Sequence, residues 1–189
     1  RVAALDNGGT VSLVGAAAGS TLTVTGSYVA HSLLRLGTGL AGNASLSDRL
    51  VLDGPGASAT GNSTIQIVNL GGLGALTTGH GIEVVSARNG ATTTAQTTKS
   101  AFSLSNGHVD AGAYEYRLYA ADAQGSGENW YLRSTALEVP IPPDPVPPET
   151  PGSPTEPTGP SGGEPGPPVT VPTYRAEVPL LAAMPAQLR

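Results

Sequence analysis

Fourteen of the seventeen prolines in this 189-residue chain fall between Pro140 and Pro172; only Pro55, Pro179 and Pro185 lie elsewhere. Proline fixes φ, removes a backbone donor and interrupts both helices and sheet ladders, so no packed core is built from such a stretch. The chain therefore reads as a folded region over residues 1–136, a proline-rich disordered linker over 137–172 and a short tail over 173–189. In the polyproline II conformation, at roughly 3.1 Å per residue, the linker reaches on the order of 100 Å. Its Pro-x-x-Pro spacings within Pro142–Pro148 have no arginine anchor beside them, which favours a spacer over a ligand for proline-binding grooves. The tail, Tyr174 to Arg189, suits a short helix with Pro179 in its first turn and Pro185 at its end.

In the region upstream, apolar and polar residues alternate over short runs. Ile65 and Ile67 flank Gln66, Ile82 and Val84 flank Glu83, and Phe102 and Leu104 flank Ser103. Period two is the signature of a half-buried strand. The same reading covers Val11–Val14, Leu22–Val24, Leu33–Leu36, Leu50–Leu52, Tyr114–Tyr119 and Trp130–Arg133, which predicts about ten strands. Asn7-Gly8-Gly9, Asp53-Gly54, Asn89-Gly90 and Asn106-Gly107 supply residues that tolerate positive φ and mark the turns between them. The early strands recur in steps of 9 to 11 residues after Val2, Val11, Leu22 and Leu33, and later spacings become longer and uneven. A solenoid closed by a cap of different sequence reads this way, because its last coil would otherwise expose an apolar end. Five aromatics, Tyr114, Tyr116, Tyr119, Trp130 and Tyr131, mark the segment where that cap packs.

Several functions are disfavoured by composition. A net charge of -5, with charged residues at 12%, offers no basic field for nucleic acid. Cysteine is absent, so no disulfide or thiolate chemistry is available. No apolar run approaches the roughly 20 residues of a membrane helix. Arg1 opens no charged-then-apolar leader, so an export signal is expected further upstream.

The three histidines, His31, His80 and His108, sit in no Gly-x-Ser-x-Gly elbow and no His-x-x-x-His pair; no catalytic residue, metal ligand or cofactor is assigned. Gly71, Gly72, Gly74, Gly79 and Gly81 lack the Lys-Ser or Lys-Thr of a phosphate loop and read as tight turns. Ser45–Leu50 reads as a turn with Asp48 and Arg49 toward solvent and Leu46 and Leu50 inward, and Thr92–Thr98 as a solvated loop.

Four segments stand in a telling order: Ser47-Asp-Arg-Leu-Val-Leu52; Ile67-Val-Asn-Leu-Gly-Gly72 with Gly81-Ile-Glu-Val-Val85; Gly112-Ala-Tyr-Glu-Tyr-Arg-Leu118 with Trp130-Tyr-Leu-Arg-Ser134; and Tyr174-Arg-Ala-Glu-Val-Pro with Met184-Pro-Ala-Gln-Leu. Together they resemble the C-terminal passenger region of pertactin-like Gram-negative autotransporters, including the stretch before the translocator barrel, which the chain does not reach. The resemblance implies an all-β fold: the C-terminal end of a right-handed parallel β-helix with a capping β element, followed by the linker.

It also implies a non-catalytic autochaperone or stalk that nucleates folding of an exported passenger at the cell surface or outer membrane. Residues 33–136 are the expected nucleus, with Tyr114, Tyr116, Leu118, Trp130 and Leu132 as its folding core. Its implied partners are its own translocator barrel and upstream passenger coils, the chain being otherwise a monomer. Absent cysteine fits threading through a pore that a disulfide-closed loop would block. Two alternatives stand beside this reading: an adhesin module binding a host surface or serum protein, and a polysaccharide-active β-helix enzyme fragment.

Overall fold

The computed structural model describes residues 1–137. The predicted tail, and all of the predicted linker except Leu137, lie outside the described residues. Leu137 itself still belongs to the folded part, since its N–H donates to the Ala113 carbonyl at 2.9 Å.

The described chain is all-β, with thirteen strands and, among the described residues, no helix. They are β1 Leu5–Asn7, β2 Thr10–Ser12, β3 Thr21–Val24, β4 Ser27–Ala30, β5 Leu33–Thr38, β6 Arg49–Asp53, β7 Ser58–Gly61, β8 Ser63–Asn69, β9 Ile82–Arg88, β10 Phe102–Leu104, β11 Val109–Ala111, β12 Tyr114–Ala120 and β13 Trp130–Ala136. Four strands escaped the alternation reading: β1, β4 (Ser-Tyr-Val-Ala), β7 (Ser-Ala-Thr-Gly) and β11 (Val-Asp-Ala). All are short and carry few large apolar side chains, so neighbouring strands rather than their own pattern hold them in place.

Consecutive strands visit three sheets in turn. Their orders are β1-β4-β7, β10-β8-β5-β2 and β11-β12-β13-β9-β6-β3. From β1 to β6, each strand pairs in parallel with the one three places later. The 9-to-11-residue steps seen in the sequence are therefore spacings between strands of different sheets. Within a sheet the registered separation is larger, as in Val11 with Leu34 or Leu22 with Leu50.

Register turns the alternation into ladders of like side chains. Val11, Leu34, Ile65 and Leu104 are successive partners across β2, β5, β8 and β10. Leu22, Leu50, Val85 and Trp130 run likewise across β3, β6, β9 and β13. Leu34, Ile65, Leu50, Val85 and Trp130 are buried in a single continuous core, with Val11, Leu22 and Leu104 packed at its margin. A one-residue slip would turn each ladder to the opposite face, so burial of this core fixes the pairing.

Asp48 does not face solvent as its sequence context suggested; it is fully buried. Its Oδ1 accepts the N–H groups of Gly19 (2.9 Å) and Ser20 (2.8 Å), and its Oδ2 accepts that of Gly37 (2.7 Å). Three converging backbone donors offset the cost of removing a carboxylate from water. In return the carboxylate ties the approach to β3, the body of β5 and the start of β6 together. Leu46 takes the outward position expected of Asp48 and is 66% exposed. Leu50 is buried as expected, and the partly exposed Arg49 reaches Glu83 at 3.4 Å.

Asp48→Asn keeps the size but sets an NH2 group against one of these N–H donors. It should lower unfolding stability by about 1.5–3 kcal/mol, measured by urea denaturation of the whole chain. An unchanged midpoint would show that the three bonds contribute nothing net.

Candidate functional site: the antiparallel cap

Strand β9 pairs in parallel with β6 on one edge, but on the other it meets β13 running antiparallel. Strands β12 and β11 then continue the sheet in antiparallel sense. At the junction the register shifts between Trp130, opposite Val85, and Tyr131, opposite Glu83. A bulge of this kind increases local twist and re-aims the side chains beside it.

Here it accompanies a buried indole. Trp130 packs edge-on to Phe102, with centroids 5.3 Å apart at 77°, and Phe102 stacks in turn on Tyr28 at 6.0 Å. The Tyr28 hydroxyl meets Ser63 Oγ at 3.0 Å, so the aromatic row leaves no buried hydroxyl unpaired. The indole N–H donates to Thr93 Oγ1 at 3.0 Å. The Thr93 N–H donates to Glu128 Oε2 at 2.7 Å, and its hydroxyl lies 2.8 Å from the same oxygen. Thr93 thus couples the segment after β9 to the β12–β13 loop through the Trp130 pocket.

Within Thr92–Thr98, read as a solvated loop, Thr92 and Gln96–Thr98 are exposed as expected, but Thr93 and Ala95 are not. Ala91, Thr93 and Ala95 are all buried. The alternation that signals a half-buried strand was present at those positions, hidden because its inward residues are small.

Tyr116 anchors a second loop. Its hydroxyl accepts the Ala75 N–H at 2.9 Å and lies 2.8 and 2.9 Å from the carbonyls of Ala41 and Ala75. Ser134 Oγ accepts the Thr77 N–H at 2.7 Å and donates to the Ala75 carbonyl at 2.8 Å, while Thr77 Oγ1 accepts the Ser134 N–H at 2.9 Å. Residues 70–81 are thereby stitched to the cap. Gly74 and Gly81 sit at φ +79° and +91°, and a Cβ at either would overlap the carbonyl oxygen of Ala111 or Leu132. That close approach of backbone to cap accounts for two glycines of the cluster.

Of the residues expected in the folding core, Tyr116, Trp130 and Leu132 are buried, and Tyr114 and Leu118 are partly buried against them. Phe102, read from the sequence as an inward strand residue, is buried here, and Thr93, Glu128 and Ser134, which complete the packing, were not expected in it. Polar residues lock the outer face. Glu83 lies 3.4 Å from Arg49 and 3.8 Å from Arg88, and accepts from Asn129 Nδ2 at 3.1 Å. Asn129 Oδ1 accepts the Ala87 N–H at 2.8 Å. The Arg133 guanidinium lies 4.9 Å from the Tyr119 ring centre and donates to the Ala121 carbonyl at 2.8 Å. His80 Nδ1 accepts the Ala123 N–H at 3.2 Å, a structural contact in the same loop region.

In the β12–β13 loop, Asp122 accepts the N–H groups of Ser126 and Gln124. The Ser126 bond foremost holds its carboxyl below the usual carboxylate range, against a partly opposing loss of hydration. A depressed folded-state pKa means that its contribution is present above about pH 4, the unfolded value, and is lost as pH falls through the folded one. Amide exchange at Gln124 and Ser126 should therefore accelerate in strong acid beyond the intrinsic trend, and Asp122→Asn should abolish that excess. For Tyr116→Phe, which strands the Ala75 N–H, a loss of about 1–3 kcal/mol is expected. Tyr119→Phe at the exposed face should change stability by less than about 0.5 kcal/mol. Equal effects in parallel urea titrations would dismiss the Tyr116 anchor.

These side chains bury, brace and terminate; they form an architectural site. Comparison with known proteins agrees. Residues 2–118 match the family model Autochaperone Domain Type 1. The chain is 39% identical over 138 residues to the probable autotransporter YfaL of Escherichia coli K12, covering 72% of this chain and 10% of that protein. It is 38% identical over 143 residues to the adhesin BmaC autotransporter of Brucella suis, covering 74% and 4%. It is also 38% identical over 119 residues to the autotransporter adhesin AIDA-I of Escherichia coli, covering 62% and 8%. The chain thus spans at most a tenth of the length of these relatives.

Proposed function

The chain belongs to the type 1 autochaperone family, and from that premise we propose that it is the non-catalytic end of an exported autotransporter passenger, a right-handed parallel β-helix whose cap nucleates folding. The observation that carries this reading is the change of pairing at β9. Parallel pairing runs through β1 to β9 and joins β10 to β8, and in the largest sheet the antiparallel strands β13, β12 and β11 follow β9. Three strands per coil account for the i to i+3 pairing, and parallel crossovers within a sheet are overwhelmingly right-handed.

Growth is asymmetric. Strands β1, β2 and β3 stand at the ends of their three sheets, together forming one open coil edge. An upstream coil adds its strands there, while in the largest sheet the cap covers the far edge of β9. Nearest-neighbour energetics make the first capped coils the costly step and each later coil cheaper. Folding at the cell surface or beyond it then holds the passenger outside. The own translocator barrel and the upstream coils are the partners in this scheme.

The test is Trp130→Ala in the full-length parent displayed on cells. Removing a buried Trp costs roughly 3–5 kcal/mol, and the passenger should reach the surface but become sensitive to added protease. Resistance equal to the wild type would refute nucleation by this cap. The names of two relatives, both adhesins, support a second reading as an adhesive module. Unchanged protease resistance together with lost host-cell binding would favour it.

A further inference from the structure

The β11–β12 hairpin gathers three potential ligands that no short sequence spacing announces. Atoms of His108, Asp110 and Glu115 able to bind a metal lie within 4.8 Å of one another. His108 immediately precedes β11, and its Nε2 lies 3.7 Å from Asp110 Oδ2. Glu115 is the registered partner of Asp110 across the hairpin. Ligand atoms about 2.1 Å from a tetrahedral metal are about 3.4 Å apart, so modest rotation of the exposed His108 and Asp110 toward the partly buried Glu115 closes the set.

A second, independent feature points the same way. Two carboxylates directly opposite each other on an antiparallel pair repel. Here Asp110 on β11, the terminal strand of its sheet, faces Glu115 on β12. Arg117 relieves part of that repulsion through Glu115 Oε1. A carboxylate has lone pairs on both oxygens, so Oε2 remains for a second cation while the guanidinium fixes the orientation of the group.

We propose that His108, Asp110 and Glu115 form a binding site for a divalent transition metal of the Zn2+ class, with solvent in the remaining position. One imidazole and two carboxylates suit a borderline cation better than Ca2+ or Mg2+, which prefer all-oxygen shells. Bound metal cross-links β11 to β12 and stiffens the far edge of the cap, a role beyond the autochaperone reading and independent of it.

The test is calorimetric titration of Zn2+ into the untagged 189-residue chain. One saturable site is expected, weakened about ten-fold or more by His108→Ala and by Asp110→Asn. Arg117→Gln, which leaves Glu115 unoriented, should weaken it by a smaller factor. His31→Ala, elsewhere on the surface, should leave it unchanged. Unaltered near-ultraviolet signal from Trp130 checks that each variant is folded. Absence of saturable binding, binding indifferent to His108→Ala and Asp110→Asn, or tighter binding of Ca2+ than of Zn2+ would each overturn the proposal.

Discussion

A parallel sheet has no way to stop by itself: its last strand offers a row of unpaired N–H and C=O groups to any chain that passes. The structure resolves this at β9, where the following partner arrives antiparallel and brings Trp130 into the core beside Val85. The reversal cannot be made by backbone alone, because the register shift at Trp130–Tyr131 interrupts the ladder. Packing of Trp130 on Phe102, and of Phe102 on Tyr28, compensates and spans from β4 to the cap. The aromatic row thus joins strands far apart in sequence across the interior. Interior aromatics are the largest single contributors of buried apolar area in a core otherwise built from Leu, Val, Ile and Ala.

Polar side chains decide which arrangement of that core is unique. The side chains of Asp48, Thr93, Tyr116 and Ser134 each bind backbone groups of loops, and Asp48 binds Gly37 of β5 as well. Loops between stacked strands have no ladder of their own, so side chains must complete their hydrogen bonds. Among the described residues no buried side-chain nitrogen or oxygen lacks a partner. In a low-dielectric interior a complete network stabilises one geometry, and a shifted strand would leave several donors unpaired at once. Apolar ladders therefore select the face, and these residues select the register of the intervening loops.

Strands with alternating large apolar residues were legible from the sequence, as β5, β8 and β9 show, because burial follows period two along β8 and over the first residues of β5 and β9. Strands such as β7 were not, since Ser58-Ala-Thr-Gly61 is held by β4 and carries almost no signal of its own. The family resemblance gave the cap its place, and three of its five expected core residues, Tyr116, Trp130 and Leu132, are fully enclosed. What remained illegible was polar burial. An aspartate in Ser-Asp-Arg is ordinarily a surface residue, and only the convergence of Gly19, Ser20 and Gly37 from distant segments makes Asp48 an interior one. Thr93 was obscured by small neighbours, and the hairpin cluster of His108, Asp110 and Glu115 by a register that sequence spacing does not encode.

Burial also changes along the chain. In β2 and β3 only Val24 is buried, whereas in β13 Trp130, Tyr131, Leu132 and Ser134 all are. Strands at the first end have a neighbour on one side and half-exposed apolar residues, so local opening is least costly there. Along the ladder of Leu22, Leu50, Val85 and Trp130, only Leu22, at the open edge, is partly buried, and the other three are buried. Stability is thus concentrated where the chain reverses direction and is lowest at the open edge. An edge of that kind is improved by any strand that pairs with it, because new backbone bonds and burial of Leu5, Val11 and Leu22 come together. The same three side chains, partly buried in this segment, are the apolar surface over which a preceding turn of chain would be laid.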